Sequence, residues 1–200
     1  MTTSISTVDL HARLNFPYLA ELLAPRSSCG GRWVGRTSPV WTPNELRGLT
    51  TAVGASFGDP LLGLLRFASP NRWWARLALT EEVELWLLSW LPGQGTAAHD
   101  HGGAAGAFTV FLGELAETYR YPSEPIRSES HTTGSAVGFG AGRAHQVQNL
   151  GPRRAASVHA YSPPLVPTRE YNSLRDIPSD IPPLPVRRPL AELRLEPVEP

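Results

Sequence analysis

The segment Gly93-Gln94-Gly95-Thr96-Ala97-Ala98-His99-Asp100-His101 places two histidines one residue apart. Alternate residues of a β-strand point to the same side of a sheet, so the two imidazoles can bind one metal ion. His145 follows later in the chain and can supply a third imidazole. Asp100 would point to the opposite side, and we expect a structural hydrogen-bond partner there. The pattern predicts a three-histidine metal site, whereas a His-x-His pair by itself also fits ordinary core or surface histidines.

Glycines flank both histidine segments at regular intervals. They are Gly93, Gly106 and Gly113 around the first segment and Gly134, Gly140 and Gly142, with Asn149, around the second. These spacings resemble the two motifs of the cupin superfamily, whose members fold as jelly-roll β-barrels. Gly106 stands where most cupins carry a glutamate ligand. The predicted ligands are therefore three neutral histidines, His99, His101 and His145, without a carboxylate.

The charge of such a site limits which further ligands the metal ion would bind. Two histidines and a carboxylate form the usual ferrous oxygenase site. Without the carboxylate, the +2 charge of the ion is not compensated by the protein, which favours an anionic ligand from the substrate. A thiolate is a good candidate because it is soft and because metal binding deprotonates a thiol. Other anions satisfy the same argument, and three histidines would also suit zinc.

Four blocks of sequence together resemble the bacterial cysteine dioxygenase family. The blocks are residues 99–108, Gly113-x-Leu115-x-Glu117-Thr118, residues 145–149 and residues 157–165. The resemblance implies a cupin jelly-roll barrel, a ferrous iron bound by His99, His101 and His145, and oxidation of L-cysteine to cysteine sulfinate with both atoms of dioxygen. Only the resemblance selects iron over zinc.

A strand predicted over residues 155–161 carries a second set of polar side chains. Ser157, His159 and Tyr161 share one face because they alternate. Three polar groups facing the barrel interior would be costly unless they hydrogen-bond one another or a ligand, whereas a solvated outer face is the alternative. The resemblance implies a relay in which Tyr161 donates a hydrogen bond to the reacting oxygen, while His159 and Ser157 orient it.

Eukaryotic relatives join this tyrosine covalently to a cysteine on the first-motif strand. The matching position is Gly106, and the sole cysteine is Cys29, so we expect no crosslink and no intramolecular disulfide. The Ser162-Pro163 peptide bond is expected to be cis, as in the relatives, since X-Pro bonds adopt that isomer at low cost.

Arginines are the candidates for binding the substrate carboxylate, since a guanidinium can bind a carboxylate through two hydrogen bonds. The resemblance places Arg76 where cysteine dioxygenases bind this group, and relatives that oxidise 3-mercaptopropionate carry glutamine there. Arg72 is a nearby competitor, and Arg169 is a candidate second contact. An ordinary surface arginine is the alternative for Arg76.

Composition excludes several function classes. The 200 residues carry a net charge of zero, with 41% hydrophobic residues and no basic run. The chain therefore has no electrostatic footprint for nucleic acid or an anionic membrane. Residues 1–16 lack the apolar stretch of a secretory signal, and no segment approaches a membrane-spanning length. We expect a cytoplasmic protein and, by default, a monomer.

Strand-like segments dominate the rest of the chain. We predict strands over residues 73–79, 83–91, 108–112, 115–121, 136–139, 145–149 and 155–161, which indicate an all-β barrel. Helices are predicted over residues 8–23 and, from a capping box at Thr42 to Glu45, through residue 53, with a loop at residues 27–31. Prolines from residue 177 onward exclude regular helix. One domain is expected, with a helical or irregular segment (1–70), a barrel core (71–176) and a tail (177–200).

The predicted function is oxidation of L-cysteine at a three-histidine Fe(II) site, with a small thiol and dioxygen as partners. Two alternatives stay open: a 3-mercaptopropionate dioxygenase, and a cupin that binds a metal and a small molecule without turnover. The simultaneous presence of Tyr161 and Arg76 favours an enzyme, because a binding protein needs no such pair.

Overall fold

Two helices precede the strands in the computed structural model, which describes residues 41–164 and 166–186. Helix α1 (Pro43–Ser56) begins at the predicted capping box: the Thr42 hydroxyl accepts a hydrogen bond from the Glu45 backbone N–H. The Glu45 carboxylate in turn accepts one from the Thr42 N–H. Helix α2 (Gly58–Leu64) was not predicted, because two glycines and a proline in seven residues obscure its helical pattern. The helix and loop predicted over residues 8–31 lie outside the described residues.

Ten strands follow. They are β1 (Trp74–Leu79), β2 (Glu84–Trp90), β3 (Ala98–Asp100), β4 (Ala105–Leu112), β5 (Glu114–Arg120), β6 (Arg127–Thr132), β7 (Ala136–Phe139), β8 (Ala144–Gln148), β9 (Ala155–Ser162) and β10 (Arg169–Tyr171). All seven predicted strands are present with small shifts at their ends, and the short β3 contains His99 and ends one residue before His101. Strands β6 and β10 were missed. The β6 sequence is almost entirely polar and exposed, as an edge strand can be, and so lacks the alternation that identifies a half-buried strand.

The strands form two antiparallel sheets of five strands each. Sheet I has the order β1-β2-β9-β4-β7, and sheet II has the order β10-β3-β8-β5-β6. Their facing sides share one apolar core, to which sheet I contributes Trp90, Phe108 and Phe139 and sheet II contributes Leu115 and Val147. The all-β prediction is confirmed.

Helix α1 covers the outer side of sheet I. Its buried Leu46, Leu49 and Val53 belong to the same apolar cluster as Val158 and Ala160 of β9. Strand β9 is therefore buried on both sides, with small apolar residues toward the helix and polar residues toward sheet II. This arrangement excludes the solvated-face alternative for Ser157, His159 and Tyr161.

The proline-rich segment crosses the end of the barrel near β3. Residues 177–186 contain no regular helix or strand. The Leu184 backbone N–H donates a hydrogen bond to the Gly102 carbonyl at 2.8 Å, and the Arg169 guanidinium donates one to the Pro182 carbonyl at 2.9 Å. The Ser162-Pro163 bond is cis, as expected.

Candidate active site

The three predicted metal ligands lie together on sheet II. His99 of β3 is paired directly opposite His145 of β8, and His101 follows the end of β3. One ring nitrogen from each of the three residues lies within 4.8 Å of the others. The Nε2 atoms of His101 and His145 are 3.0 Å apart. Two nitrogens about 2.1 Å from one ion, at an angle near 90°, would be separated by about this distance.

Hydrogen bonds to the outer ring nitrogens orient two of these imidazoles. Nδ1 of His99 lies 2.9 Å from the Ala97 carbonyl, and Nδ1 of His145 lies 2.7 Å from a Glu117 carboxylate oxygen. Both partners accept, so each Nδ1 carries a proton, which leaves Nε2 as the nitrogen that can bind a metal. The residues present therefore fit a metal ion.

Burial keeps His99 and His101 neutral. Desolvation, with a smaller contribution from the neighbouring His145, lowers the pKa of His99 to about 3. Desolvation also holds the pKa of His101 well below its usual range. A metal ligand must be an unprotonated imidazole, so this environment presents ligands at neutral pH without removal of a proton.

A buried carboxylate, Glu117, lies behind the histidine cluster. It is fully buried, and one of its oxygens is 3.0 Å from the Arg143 guanidinium and 3.1 Å from His131 Nε2. Burial alone would raise the pKa of Glu117, but hydrogen bonds from His131 and His145 and the charge of Arg143 lower it to about 2. The site thus has a negative charge one hydrogen bond away from a ligand, although no carboxylate is a ligand.

Asp100 has the structural role predicted for it. Its carboxylate accepts hydrogen bonds from the Gly102 backbone N–H at 2.6 Å and the Tyr171 hydroxyl at 2.6 Å. The Arg169 guanidinium lies 3.3 Å from the same carboxylate. Arg169 is thus engaged with Asp100 and Pro182 and is not among the residues that line the cavity described below. The structure does not bring it together with the other predicted site residues.

The three polar residues of β9 form a continuous hydrogen-bonded chain. Ser157 Oγ is 2.8 Å from His159 Nε2, and His159 Nδ1 is 3.1 Å from the Tyr161 hydroxyl. The indole N–H of Trp90 donates to Ser157 Oγ at 2.9 Å. Desolvation lowers the pKa of His159 well below its usual range, so this imidazole is neutral.

The direction of this chain follows from its fixed donor. Trp90 N–H can only donate, so Ser157 accepts from it and can give its own proton to His159 Nε2. A neutral His159 then carries its proton on Nδ1 and donates to the Tyr161 oxygen. The phenolic proton of Tyr161 is left free to point into the cavity. Burial raises the pKa of Tyr161, so the phenol keeps that proton at neutral pH.

Gly106 allows the rings to approach closely. A Cβ atom at this position would lie 2.4 Å from the Phe139 ring and 2.9 Å from the Tyr161 ring. No larger side chain fits without movement of these rings. A glutamate or a cysteine at this position would require these rings to move.

A cavity of about 520 Å³ opens over the histidines. The three ligands, His159 and Tyr161 contribute to its wall, and so do three tryptophans and the two candidate arginines, Arg72 and Arg76. The Arg72 guanidinium lies 4.3 Å from the centre of the Trp90 ring, and the Arg76 guanidinium lies 5.4 Å from that of Trp86. Both arginines line the cavity, and Arg76 is half-buried there.

Arg72 is the arginine whose charge acts on the histidines. Desolvation lowers the pKa of Arg72, and Tyr161 opposes that change. The charge of Arg72 in turn contributes to the lowered pKa of His99 and of His159. Arg72 therefore lies within electrostatic range of both the metal site and the relay.

A family model for cysteine dioxygenase type I matches residues 64–174. The match spans more than half of the 200 residues and includes every site residue described above. The chain belongs to the type I cysteine dioxygenase family. Membership confirms the predicted cupin fold, with which the two antiparallel sheets agree, and supports a non-haem iron dioxygenase acting on a small thiol. The search of curated proteins gives no significant match.

Solved structures with a similar fold are distant in sequence. A conserved Klebsiella pneumoniae protein with a double-stranded β-helix domain has a TM-score of 0.48 and 18% identity, covering 56% of this chain and 95% of that one. A Thermus thermophilus protein has a TM-score of 0.45 and 24% identity, covering 52% and 93%. A Desulfitobacterium hafniense cupin has a TM-score of 0.44 and 16% identity, covering 52% and 87%. Similarity at this level carries no information about substrate.

Sequence reasoning missed two residues that orient the site. Trp90 sets the direction of the relay, and only the pairing of β2 with β9 brings it there. Glu117 appeared in the sequence only as part of a family block. Its position on the inward face of β5, between Leu115 and Tyr119, is the signal that could have identified it, since a charge on a buried face requires partners.

Among the described residues, no helix is long and apolar enough to cross a membrane.

Proposed function

We propose that this protein is a thiol dioxygenase that oxidises L-cysteine to cysteine sulfinate with dioxygen at an Fe(II) ion held by His99, His101 and His145. The observation that carries the proposal is the juxtaposition of three imidazoles with the Tyr161 phenol, inside one cavity, in a member of the cysteine dioxygenase family. A cytoplasmic monomer with a barrel core at residues 71–176 is part of the same proposal.

Iron is the metal that the family suggests. Three imidazoles also suit zinc or copper, so the donor set supports a transition metal without choosing one. Bound Fe(II) would supply the redox chemistry that lets dioxygen react with a thiolate. The +2 charge, with no carboxylate ligand and with Arg72 nearby, favours a thiolate over a neutral thiol.

The reaction balances without a further reductant. The thiol sulfur loses four electrons, and dioxygen gains them as its O–O bond breaks and two S–O bonds form. Both oxygen atoms end in the sulfinate, and the thiol proton is released. The protein therefore needs only to bind the thiol, exclude water and place hydrogen-bond donors.

Tyr161 would place one such donor. Its phenol oxygen accepts from His159 Nδ1, so its own proton is directed to the reacting oxygen or to the thiolate. Ser157 and Trp90 would keep His159 in the tautomer that this requires. A preorganised donor of this kind is worth about 10²- to 10⁴-fold in rate.

The substrate carboxylate would bind to a cavity arginine. Sequence reasoning favoured Arg76 over Arg72, and both line the cavity. The electrostatic coupling of Arg72 to His99 and His159 supports Arg72 as the partner of a carboxylate on a substrate as short as cysteine. The alternative substrate, 3-mercaptopropionate, differs from cysteine in that it lacks the amine. Comparison of kcat/KM for the two thiols distinguishes the two proposed activities.

Metal analysis together with oxygen uptake tests the proposal. We expect about one iron per chain and uptake of one dioxygen per thiol consumed, with cysteine sulfinate as product and cysteine preferred over 3-mercaptopropionate. Preference for 3-mercaptopropionate would select the alternative enzyme. Iron-loaded protein that consumes no oxygen with either thiol, yet binds them, would instead indicate a cupin without turnover.

A further inference from the structure

His101 differs from the other two predicted ligands in how the protein holds it. Nδ1 of His99 and of His145 each donate to an acceptor, whereas no residue that the structure describes makes a hydrogen bond with Nδ1 of His101. The His101 ring packs against the rings of Phe139 and Tyr161, whose centroids are 5.3 and 4.5 Å away. Ring packing limits the tilt of an imidazole but does not fix its backbone. The position of His101 must therefore come from the chain around it.

A tight turn begins at His101. The Ala104 backbone N–H donates to the His101 carbonyl at 3.0 Å. Gly102 and Gly103, between them, have φ angles of 59° and 100°, which residues with a side chain rarely adopt. The Gly102 N–H donates to the Asp100 carboxylate at 2.6 Å. The Asp100 side chain thus holds the first bend of the turn, directly after the ligand.

Two later segments enclose this turn. A Cβ atom on Gly102 would lie 2.5 Å from the Pro167 carbonyl oxygen and 3.1 Å from the Leu184 Cβ. A Cβ atom on Gly103 would lie 2.8 Å from the Pro183 ring. The Leu184 N–H also donates to the Gly102 carbonyl at 2.8 Å. The chain before β10 and the proline-rich segment therefore both pack on the turn that follows His101.

Arg169 joins these parts. It lies directly opposite Asp100 in the pairing of β10 with β3. Its guanidinium is 3.3 Å from the Asp100 carboxylate and donates to the Pro182 carbonyl at 2.9 Å. The Asp100 side chain is fully buried, and within the described residues this is its one ion pair. A buried carboxylate that loses its cation is strongly unfavourable, so loss of Arg169 should displace the group that holds Gly102.

We infer that Arg169 is a positioning residue of the metal site: through Asp100 and the proline-rich segment, it fixes the turn that places His101 beside the metal. The inference rests on the three-histidine site of the proposed function and deepens it by naming the residue that positions one ligand. Arg169 would act on the metal ligand and not on the substrate carboxylate, the role that sequence reasoning considered for it. No step of the reaction changes.

Cobalt(II) binding to the metal-free protein tests the inference without any turnover. Three imidazoles also bind this ion, and its visible absorption reports the coordination geometry. Arg169→Gln should weaken cobalt binding by about 10-fold, the lower end of the range for residues that orient metal ligands, and should shift the absorption spectrum. Arg169→Lys keeps the charge and should recover most of the affinity. Arg175→Gln makes the same change at an exposed arginine shortly after β10 and should bind cobalt as the wild type does.

A double-mutant cycle tests whether Arg169 acts through Asp100. Asp100→Asn keeps an oxygen that can accept from the Gly102 N–H but removes the charge that pairs with Arg169. Arg169→Gln should therefore weaken cobalt binding less in the Asp100→Asn protein than in the wild type. Equal losses in the two backgrounds would overturn the inference.

Tyr171→Phe decides the matter if the other variants do not fold. It removes only the hydroxyl that donates to the same carboxylate at 2.6 Å. This variant should still weaken cobalt binding, and wild-type affinity in it would count against the inference.

Thermal unfolding of the metal-free variants separates positioning from a structural role. A purely structural Arg169 would lower Tm in Arg169→Gln and leave the cobalt affinity and spectrum unchanged, which would overturn the inference. Wild-type protein that binds cobalt through the three histidines, yet oxidises no thiol when loaded with iron, would reject the proposed function and leave this inference standing. Thiol oxidation by the wild type, with unchanged cobalt binding in Arg169→Gln, would reject the inference alone.

Discussion

The inner faces of the two sheets differ in how their polar groups are satisfied. On sheet II, the histidine cluster is hydrogen-bonded to the Ala97 carbonyl and to Glu117, and Glu117 is paired in turn with His131 and Arg143. On sheet I, the relay is bonded internally, and among the described residues the Arg76 guanidinium contacts the Trp86 ring and forms no ion pair. The polar groups of the metal-binding half are therefore satisfied within the fold, whereas the cavity arginines beside the relay are left available to a ligand.

This contrast predicts that changes in the two sheets will have separable consequences. A satisfied network holds its ligands in place before the metal arrives, so changes in sheet II should weaken metal binding. The relay residues and the cavity arginines are not among the three predicted ligands, so changes in sheet I should alter catalysis or substrate binding while the metal is retained. The following experiments test that separation.

His145→Ala should give the largest effect. Loss of one of three ligands removes a coordination bond and leaves the Glu117 carboxylate without one of its donors. We expect the variant to lose its bound iron and its measurable activity. Metal analysis measures the first, and oxygen uptake measures the second. His159→Gln is the matched control on sheet I and should retain iron. If His145→Ala kept its iron and full turnover, the three-histidine site would be wrong.

Tyr161→Phe should retain iron and slow oxidation by about 10²- to 10⁴-fold in kcat. The phenylalanine preserves the ring packing beside Gly106 and removes only the hydroxyl that His159 orients. Single-turnover kinetics with iron-loaded protein measure the change. An unchanged rate constant would mean that the polar residues of β9 stabilise the fold and take no part in catalysis.

Arg72→Gln should weaken kcat/KM for cysteine by about 2 to 5 kcal/mol, the scale for removing one partner of a buried charged pair. Iron content should not change. Arg76→Gln provides the comparison on the neighbouring strand and should weaken use of cysteine less than Arg72→Gln does. The opposite order would assign the cysteine carboxylate to Arg76, as sequence reasoning first favoured.

Glu117→Gln should have the smallest effect of the four, a loss of about 10- to 100-fold in metal affinity. The amide cannot offer a charged acceptor to His145 and leaves buried Arg143 without its carboxylate. Competition with a chelator measures the affinity. Glu114→Gln is the control, since Glu114 lies on the exposed side of the same strand. Equal affinities for the two variants would mean that the carboxylate behind the cluster does not tune the metal.

Local patterns in the sequence were sufficient to identify most of this site. Alternation within one strand predicted that His99 and His101 would converge and that Ser157, His159 and Tyr161 would share a face, and the structure has both arrangements. The glycine spacings linked the first segment to His145, because both resemble cupin motifs and that resemblance implies a shared barrel.

Contacts between distant segments could not be predicted from such local patterns. The partners of Glu117 come from two strands and a turn. Two of the three partners of Asp100, Arg169 and Tyr171, come from β10, a strand with too few residues to show a pattern. The relative depth of Arg72 and Arg76 depends on the irregular segment before β1 and on its register against β2. Periodicity within a single strand contains no information about contacts between strands or about the register of one strand against another.

The central claim is that the histidine cluster and the relay together insert dioxygen into a thiol. Reaction of the iron-loaded protein with cysteine under ¹⁸O₂, followed by mass spectrometry of the product, tests it directly. We predict cysteine sulfinate in which both sulfinate oxygens carry the label, with one dioxygen consumed per cysteine. A product with label at only one oxygen, or disulfide formed without incorporated label, would contradict the account.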